Sequence, residues 1–250
     1  MVGDDSKQLG DSKKVAVIAG DAACSDSVLH LGNFMGSKKT GLQKINNLDA
    51  ISELELPASW GCFEQNSAMG HSVVFLRSKN EATQISFFER ERPVDQKSAD
   101  AFANVVSSTL PTPRVLYSDN HQADAQSGAL FKTLASALGS SLVGDNQLTS
   151  SPSSKTGARQ PAFHLESARV ETLNGKNVIA VNGWFTQLDD RAQIKMAGDG
   201  PAKRYYSGIF FEAGGNGTKV DEMYLVADDK PSFLSSNATF LAATKSIKWR

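Results

Sequence analysis

The side chains that could carry chemistry in this chain are its four histidines, its two cysteines and a few clustered acids and bases. His30, His71, His121 and His164 fall in no HExxH pattern and no i, i+4 pair. A metal site would need distant residues to converge, so no metal and no cofactor is expected. His121 stands out because it follows Asp119-Asn120 in a short polar stretch between an expected strand and an expected helix. Functional side chains often sit in such loops. No serine lies in a GxSxG elbow. A hydrolytic site would therefore be assembled around His121 and Asp119, with His71 or Cys62 brought in from afar.

A second constellation is Lys203-Arg204 beside Tyr205-Tyr206, which could hold an anion or a nucleic-acid strand by charge and stacking. One such cluster in a chain of net charge -1 argues against a dedicated phosphate-backbone binder. Gly32 to Thr40 has the look of a phosphate loop, but three residues, not four, separate its glycines, and Ser37 precedes the lysine. Gly214, Gly215 and Gly217 are followed by a strand-like run, so no helix N-terminus would meet a pyrophosphate there. Asp189-Asp190 and Asp228-Asp229 read as solvated turn residues. Asn216-Gly217-Thr218 and Asn237-Ala238-Thr239 match glycosylation sequons, and the second doubles as a helix start.

Cys24 and Cys62 leave two readings open. They could pair in an oxidising compartment, or be two free thiols acting as small buried hydrophobes. Lys13-Lys14, the apolar run Val15 to Ala19 and small residues before Cys24 have the order of a lipoprotein signal. The run is shorter than the usual ~7–15 residues and Asp21 interrupts it, so a short strand from Lys14 to Ala19 is the simpler expectation. No apolar run approaches the ~20 residues of a membrane helix.

The elements that must position these groups follow from periodicity. Residues 1–53 read as a partly irregular N-terminal segment. Residues 54–250 read as one domain with a mobile loop near 148–160, rich in Ser, Thr, Pro and Gly. Leu54 to Phe63, His71 to Arg77 and Thr83 to Glu91 predict an antiparallel meander. In the last of these, Ile85, Phe87 and Glu89 alternate against Gln84, Ser86 and Phe88. Helices are expected at about 98–110, 124–138 and 237–248, the last with Phe240, Leu241, Ala243, Thr244 and Ile247 inward and Pro231 as a break before it. Arg114 to Tyr117 is a short strand. Asn174-Gly175 predicts a tight hairpin between 164–173 and 177–187. A glycine-rich loop joins 204–213 to 220–228.

Strands joined by hairpins, with helices between the runs, mean α+β with a mainly antiparallel sheet. The succession Arg204 to Ala213, glycine-rich loop, Val220 to Asp228, then a helix ending Lys245-Ser246-Ile247-Lys248-Trp249, resembles the PsbP-like superfamily. Leu56-Pro57-Ala58-Ser59-Trp60, with the strands around Val73-Val74-Phe75 and Ile85-Ser86-Phe87, is similar to that family's opening. The likeness covers roughly Leu54 to Arg250. It implies an α/β/α sandwich, helices flanking an antiparallel sheet, and the mostly non-catalytic roles of its members: extrinsic photosystem subunits, a nuclear Ran-binding protein and bacterial envelope lipoproteins. No functional residue transfers, because the matched positions are core positions. The expectation is a non-enzymatic binding or accessory protein with a protein or small-molecule partner, placed in the periplasm or cell envelope before the cytoplasm.

Overall fold

A computed structural model describes residues 40–67, 70–77, 83–90, 93–107, 112–119, 163–186, 203–214 and 217–250. The expected helix at 124–138, the loop at 148–160 and the strand at 14–19 lie outside the described residues, as do His30, His121 and Cys24.

The described chain runs β1 (Leu42–Leu48), β2 (Ile51–Pro57), β3 (Gly61–Ser67), β4 (Gly70–Leu76), β5 (Gln84–Arg90) and α1 (Gln96–Val106). It continues with β6 (Arg114–Ser118), β7 (Phe163–Leu173), β8 (Lys176–Thr186), β9 (Lys203–Gly214), β10 (Lys219–Ala227), α2 (Lys230–Ser246) and β11 (Lys248–Trp249). Eight strands form one sheet in the order β3-β4-β5-β10-β9-β8-β7-β6, and β1-β2-β11 form a second. Every pairing is antiparallel.

This corrects the expected α/β/α sandwich. Strands dominate the described residues, which hold two helices and two sheets, so the fold is mostly β. The reason lies in residues 42–57. Ile45, Leu48, Ile51, Leu54 and Leu56 are all buried, and their spacing builds a hairpin instead of irregular chain. That hairpin and α2 cover the inner face of the large sheet, where a helical layer was expected. Phe75, Ile85, Phe87, Ile209, Phe211, Met223 and Leu225 meet it in one continuous core. Packing of this density is what makes each buried ring count energetically.

The other face carries a second core. β5 pairs with β10, whereas β6 is the far edge strand, so the chain must cross most of the sheet between them. α1 makes that crossing. Phe102 and Val105 pack with Leu116, Val170, Ile179 and Phe210 on the outer face.

α2 starts seven residues earlier than its apolar pattern suggests. Asp229 caps it, accepting from the Ser232 backbone N–H at 2.7 Å, and Pro231 lies in its first turn. Proline there lacks only an N–H that has no intrahelical partner anyway, so Pro231 opens the helix and does not break the chain. Phe240, Ala243, Thr244 and Ile247 point inward as expected, but Leu241 is exposed and Ser236 takes the buried position one turn before Phe240.

The hairpin at Asn174-Gly175 forms as predicted, with both residues at positive φ (48° and 84°). Asn174 also donates through Nδ2 to the carbonyls of Lys245 (2.9 Å) and Ile247 (2.6 Å), satisfying the C-terminal end of α2. Asn174→Ala removes both bonds and places a residue that disfavours left-handed backbone at the turn. A loss of about 1–3 kcal/mol in urea unfolding is expected. A loss below ~0.5 kcal/mol would show that the turn closes without Asn174.

Candidate functional site

The polar groups of the described chain gather in two places. The first lies on the inner face, under the β1–β2 turn. Alternation along β4, β5 and β10 puts His71 in the row of Val73 and Phe75, Glu89 in the row of Ile85 and Phe87, and Lys219 and Asp221 in the row of Met223 and Leu225. The His71 ring lies between Glu64 (Nε2 to Oε2, 3.4 Å) and Glu89 (Nδ1 to Oε2, 3.8 Å). Lys219 Nζ reaches Glu89 Oε1 at 2.8 Å and Asp49 Oδ2 at 2.6 Å.

Hydrogen bonding to Glu89 holds the His71 imidazolium at a raised pKa against the opposing effect of burial. The same bond, with help from Lys219, lowers Glu89 to about 2. Burial opposes the Lys219 charge, but the Asp49 and Glu89 carboxylates outweigh it and keep the ammonium above its ordinary value. Asp221 is fully buried beneath this ladder. Burial raises it to about 7, although the Arg90 backbone N–H donates to its Oδ1 at 3.2 Å.

On the opposite face the neighbouring residue, Glu222, is buried with Tyr206 and Arg90. Tyr206 donates to Glu222 Oε1 at 2.6 Å, and Arg90 Nη2 lies 3.5 Å from Oε2. Both contacts favour the carboxylate, yet burial outweighs them and lifts Glu222 to about 7.

The second gathering is at the β6–β9 end of the sheet. Tyr117 donates to Asp119 Oδ1 at 2.9 Å, and Asp119 Oδ2 lies 3.1 Å from His164 Nε2. The His164 ring stacks on Trp184, centroids 4.7 Å apart. From the other neighbouring strand, Lys203 Nζ sits 4.0 Å from the centre of the same indole. Arg204, on the opposite face of β9 from Lys203, donates to Asp228 Oδ1 at 2.5 Å. Tyr205 packs on Phe233 of α2 with ring centres 5.8 Å apart.

No family model matches the chain, and no curated protein matches it. The site is therefore read from its own geometry. Asp119 meets the imidazole of His164, which spacing along the sequence did not single out; His121, the partner expected for it, lies outside the described residues. His71 and Cys62 do not join it. β4 and β3 are the second and first strands of the large sheet, and β6 is the eighth. At ~4.8 Å per strand the His71 and Asp119 strands are on the order of 29 Å apart. Cys62 is buried in the inner core and disulfide-bonded.

Arg204 faces away from Lys203 and Tyr205 across β9, so the three cannot converge on one ligand. Each meets a different intramolecular partner instead. Among the described residues, no group of three or more His, Cys, Asp or Glu is placed to hold a metal ion, and no helix is long and apolar enough to cross a membrane.

Proposed function

We propose that the protein is a non-enzymatic binding or accessory protein of an oxidising compartment, the periplasm or cell envelope. The observation that carries this reading is the engagement of the side chains suited to chemistry at the β6–β9 end. Asp119 is held by His164 and Tyr117, Lys203 by Trp184, Arg204 by Asp228 and Tyr205 by Phe233. These contacts pin strand ends together.

The compartment rests on Cys62. It is disulfide-bonded, and Cys24 is the one other cysteine in the chain. Disulfides persist where thiols are not kept reduced. Peptide mapping without reductant is expected to recover the Cys24 and Cys62 peptides as one cross-linked species. Two thiols open to a maleimide reagent in the folded chain would remove the compartment argument.

Asp119→Asn and His164→Ala test the rest. Both residues are partly exposed, so each substitution is expected to change unfolding free energy by about 1 kcal/mol or less. Neither should alter any activity of the full chain on ester, phosphoester or glycoside substrates. A turnover that the wild-type chain shows and either variant loses would overturn the reading in favour of a hydrolase.

A further inference from the structure

The chain has three Asn-Gly dipeptides, at 174–175, 182–183 and 216–217. In such a pair the glycine backbone nitrogen can attack the asparagine side-chain carbonyl carbon, because glycine has no side chain to shield it. The carboxamide nitrogen leaves as ammonia, taking the proton of the attacking N–H, and a cyclic imide forms. Water then opens either imide carbonyl, giving aspartate or isoaspartate. The fold separates the pairs. Asn182 and Gly183 lie within β8, paired with Ser167 and Leu165 of β7 and with Ser207 and Tyr206 of β9. Asn174 and Gly175 are exposed residues of a turn beyond that ladder, which closes at Leu173 and Lys176. The space where Gly175 lacks a side chain holds no described atom within 4 Å. Asn216 lies outside the described residues. We propose that Asn174 is a site of spontaneous deamidation, and that its conversion releases the C-terminal end of the chain from the large sheet.

The consequence follows from what the carboxamide holds. Its Nδ2 donates to the carbonyls of Lys245 and Ile247, at the end of α2. A carboxylate in its place has no hydrogen to give. It faces two carbonyl oxygens at the negative end of the helix dipole. Isoaspartate also adds a methylene to the backbone of a two-residue turn, and the length of that turn sets the β7–β8 register. The same corner seats the last strand. Trp249 Nε1 donates to the carbonyl of Leu173, the residue before Asn174, at 2.7 Å, and Lys176 Nζ, just past the turn, lies 5.0 Å from the indole centre. β11 is itself two residues long and pairs with Glu53 and Ile51 of β2. The expected response is therefore local: the end of α2 and β11 loosen while the large sheet stays paired.

Peptide mapping of the full chain, aged folded in mildly alkaline buffer with a urea-unfolded sample alongside, tests the site. Acid is expected to appear at Asn174 about tenfold or more faster than at Asn182, which must first leave its ladder. Hydrogen exchange tests the consequence. In Asn174→Asp the amides of Ile247, Lys248 and Trp249 are expected to exchange about tenfold or more faster than in wild type, relative to those of β9. Aged wild-type chain, separated from unconverted chain by charge, should show the same pattern, and it serves if the variant fails to fold. An Asn174 that stays intact in the folded chain while the unfolded sample converts would overturn the proposal. So would conversion no faster than at Asn182, or unchanged exchange at Ile247, Lys248 and Trp249 in the converted chain.

Discussion

Phe211→Ala is expected to destabilise the protein by about 3–5 kcal/mol, on the scale of its whole stability margin. Phe211 has no solvent exposure and sits mid-strand on β9, facing the small sheet. Its ring centre lies 6.3 Å from that of Phe87 and 5.0 Å from that of Trp249. Trp249 in turn donates through Nε1 to the Leu173 carbonyl at 2.7 Å and lies under Lys176 Nζ at 5.0 Å. The ring therefore holds three things in contact: β5, β9 and the short strand that completes the small sheet. Removing it leaves a cavity that strand backbones pinned on both sides cannot close. The measurement is urea unfolding followed by tryptophan fluorescence, with disulfides intact. Leu42→Ala, at a side chain 67% exposed, is the control and should stay within about 0.5 kcal/mol. A Phe211→Ala loss below ~1.5 kcal/mol would mean that the two sheets repack freely, and the layered description would fail.

The elements that the sequence made legible were those whose signals are local. Asn174-Gly175 announced its hairpin because two consecutive residues tolerate positive φ. β5 was legible by its alternation, and β4 and β10 as short apolar runs; β10 is buried against a core on each face. Residues 42–53 were not legible, because Lys44, Asn46, Asn47 and Glu53 dilute the pattern, and Lys44 and Glu53 pair across the exposed surface of the hairpin. Much of the sheet that buries its apolar side, Ile209, Phe211, Met223 and Leu225, lies more than a hundred positions away. The small sheet's third strand, Lys248-Trp249, is too short to carry any periodicity.

The site followed the same rule. His71, Glu89 and Asp221 each occupy a position that strand alternation reserves for an apolar side chain. Glu89 did stand in the row of Ile85 and Phe87 in the sequence, and a charge in such a row is a usable signal that a partner must face it. What the sequence withheld was which charge. Glu64, Lys219 and Asp49 reach the cluster from three separate strands or turns, and only the strand order brings them together. Asp119 shows the converse. Nearness in sequence pointed to His121, which lies outside the described residues, and gave no sign of His164, which the β6–β7 pairing delivers.

The second large effect concerns acid and base. Stability is expected to be greatest near pH 4–5 and to decline through neutrality toward about pH 8. Glu222 and Asp221 sit near 7 in the folded chain, above their ordinary values of 4.5 and 3.8. The native state therefore binds more protons than the unfolded chain across that interval, and stability falls as pH rises. Each contribution is full below the unfolded value and is lost as pH passes the folded one. His71, also raised, acts in the same direction from 6.5 upward. Glu89 acts in the opposite sense, but only in acid: its contribution is present above 4.5 and is lost as pH falls toward about 2. Among the described residues, no group with a displaced pKa opposes these three in the neutral range. From Glu222 alone the decline is on the order of 3 kcal/mol. Glu222→Gln separates this group from the rest. It keeps an acceptor for the Tyr206 hydroxyl and stays uncharged at every pH, so variant and wild type should be similar near pH 5. Near pH 8 the variant should be the more stable, by about 1–3 kcal/mol in urea unfolding. A wild-type chain more stable at pH 8 than at pH 5 would mean that Arg90 and Tyr206 win over burial. Glu222 would then be an ordinary buried ion pair.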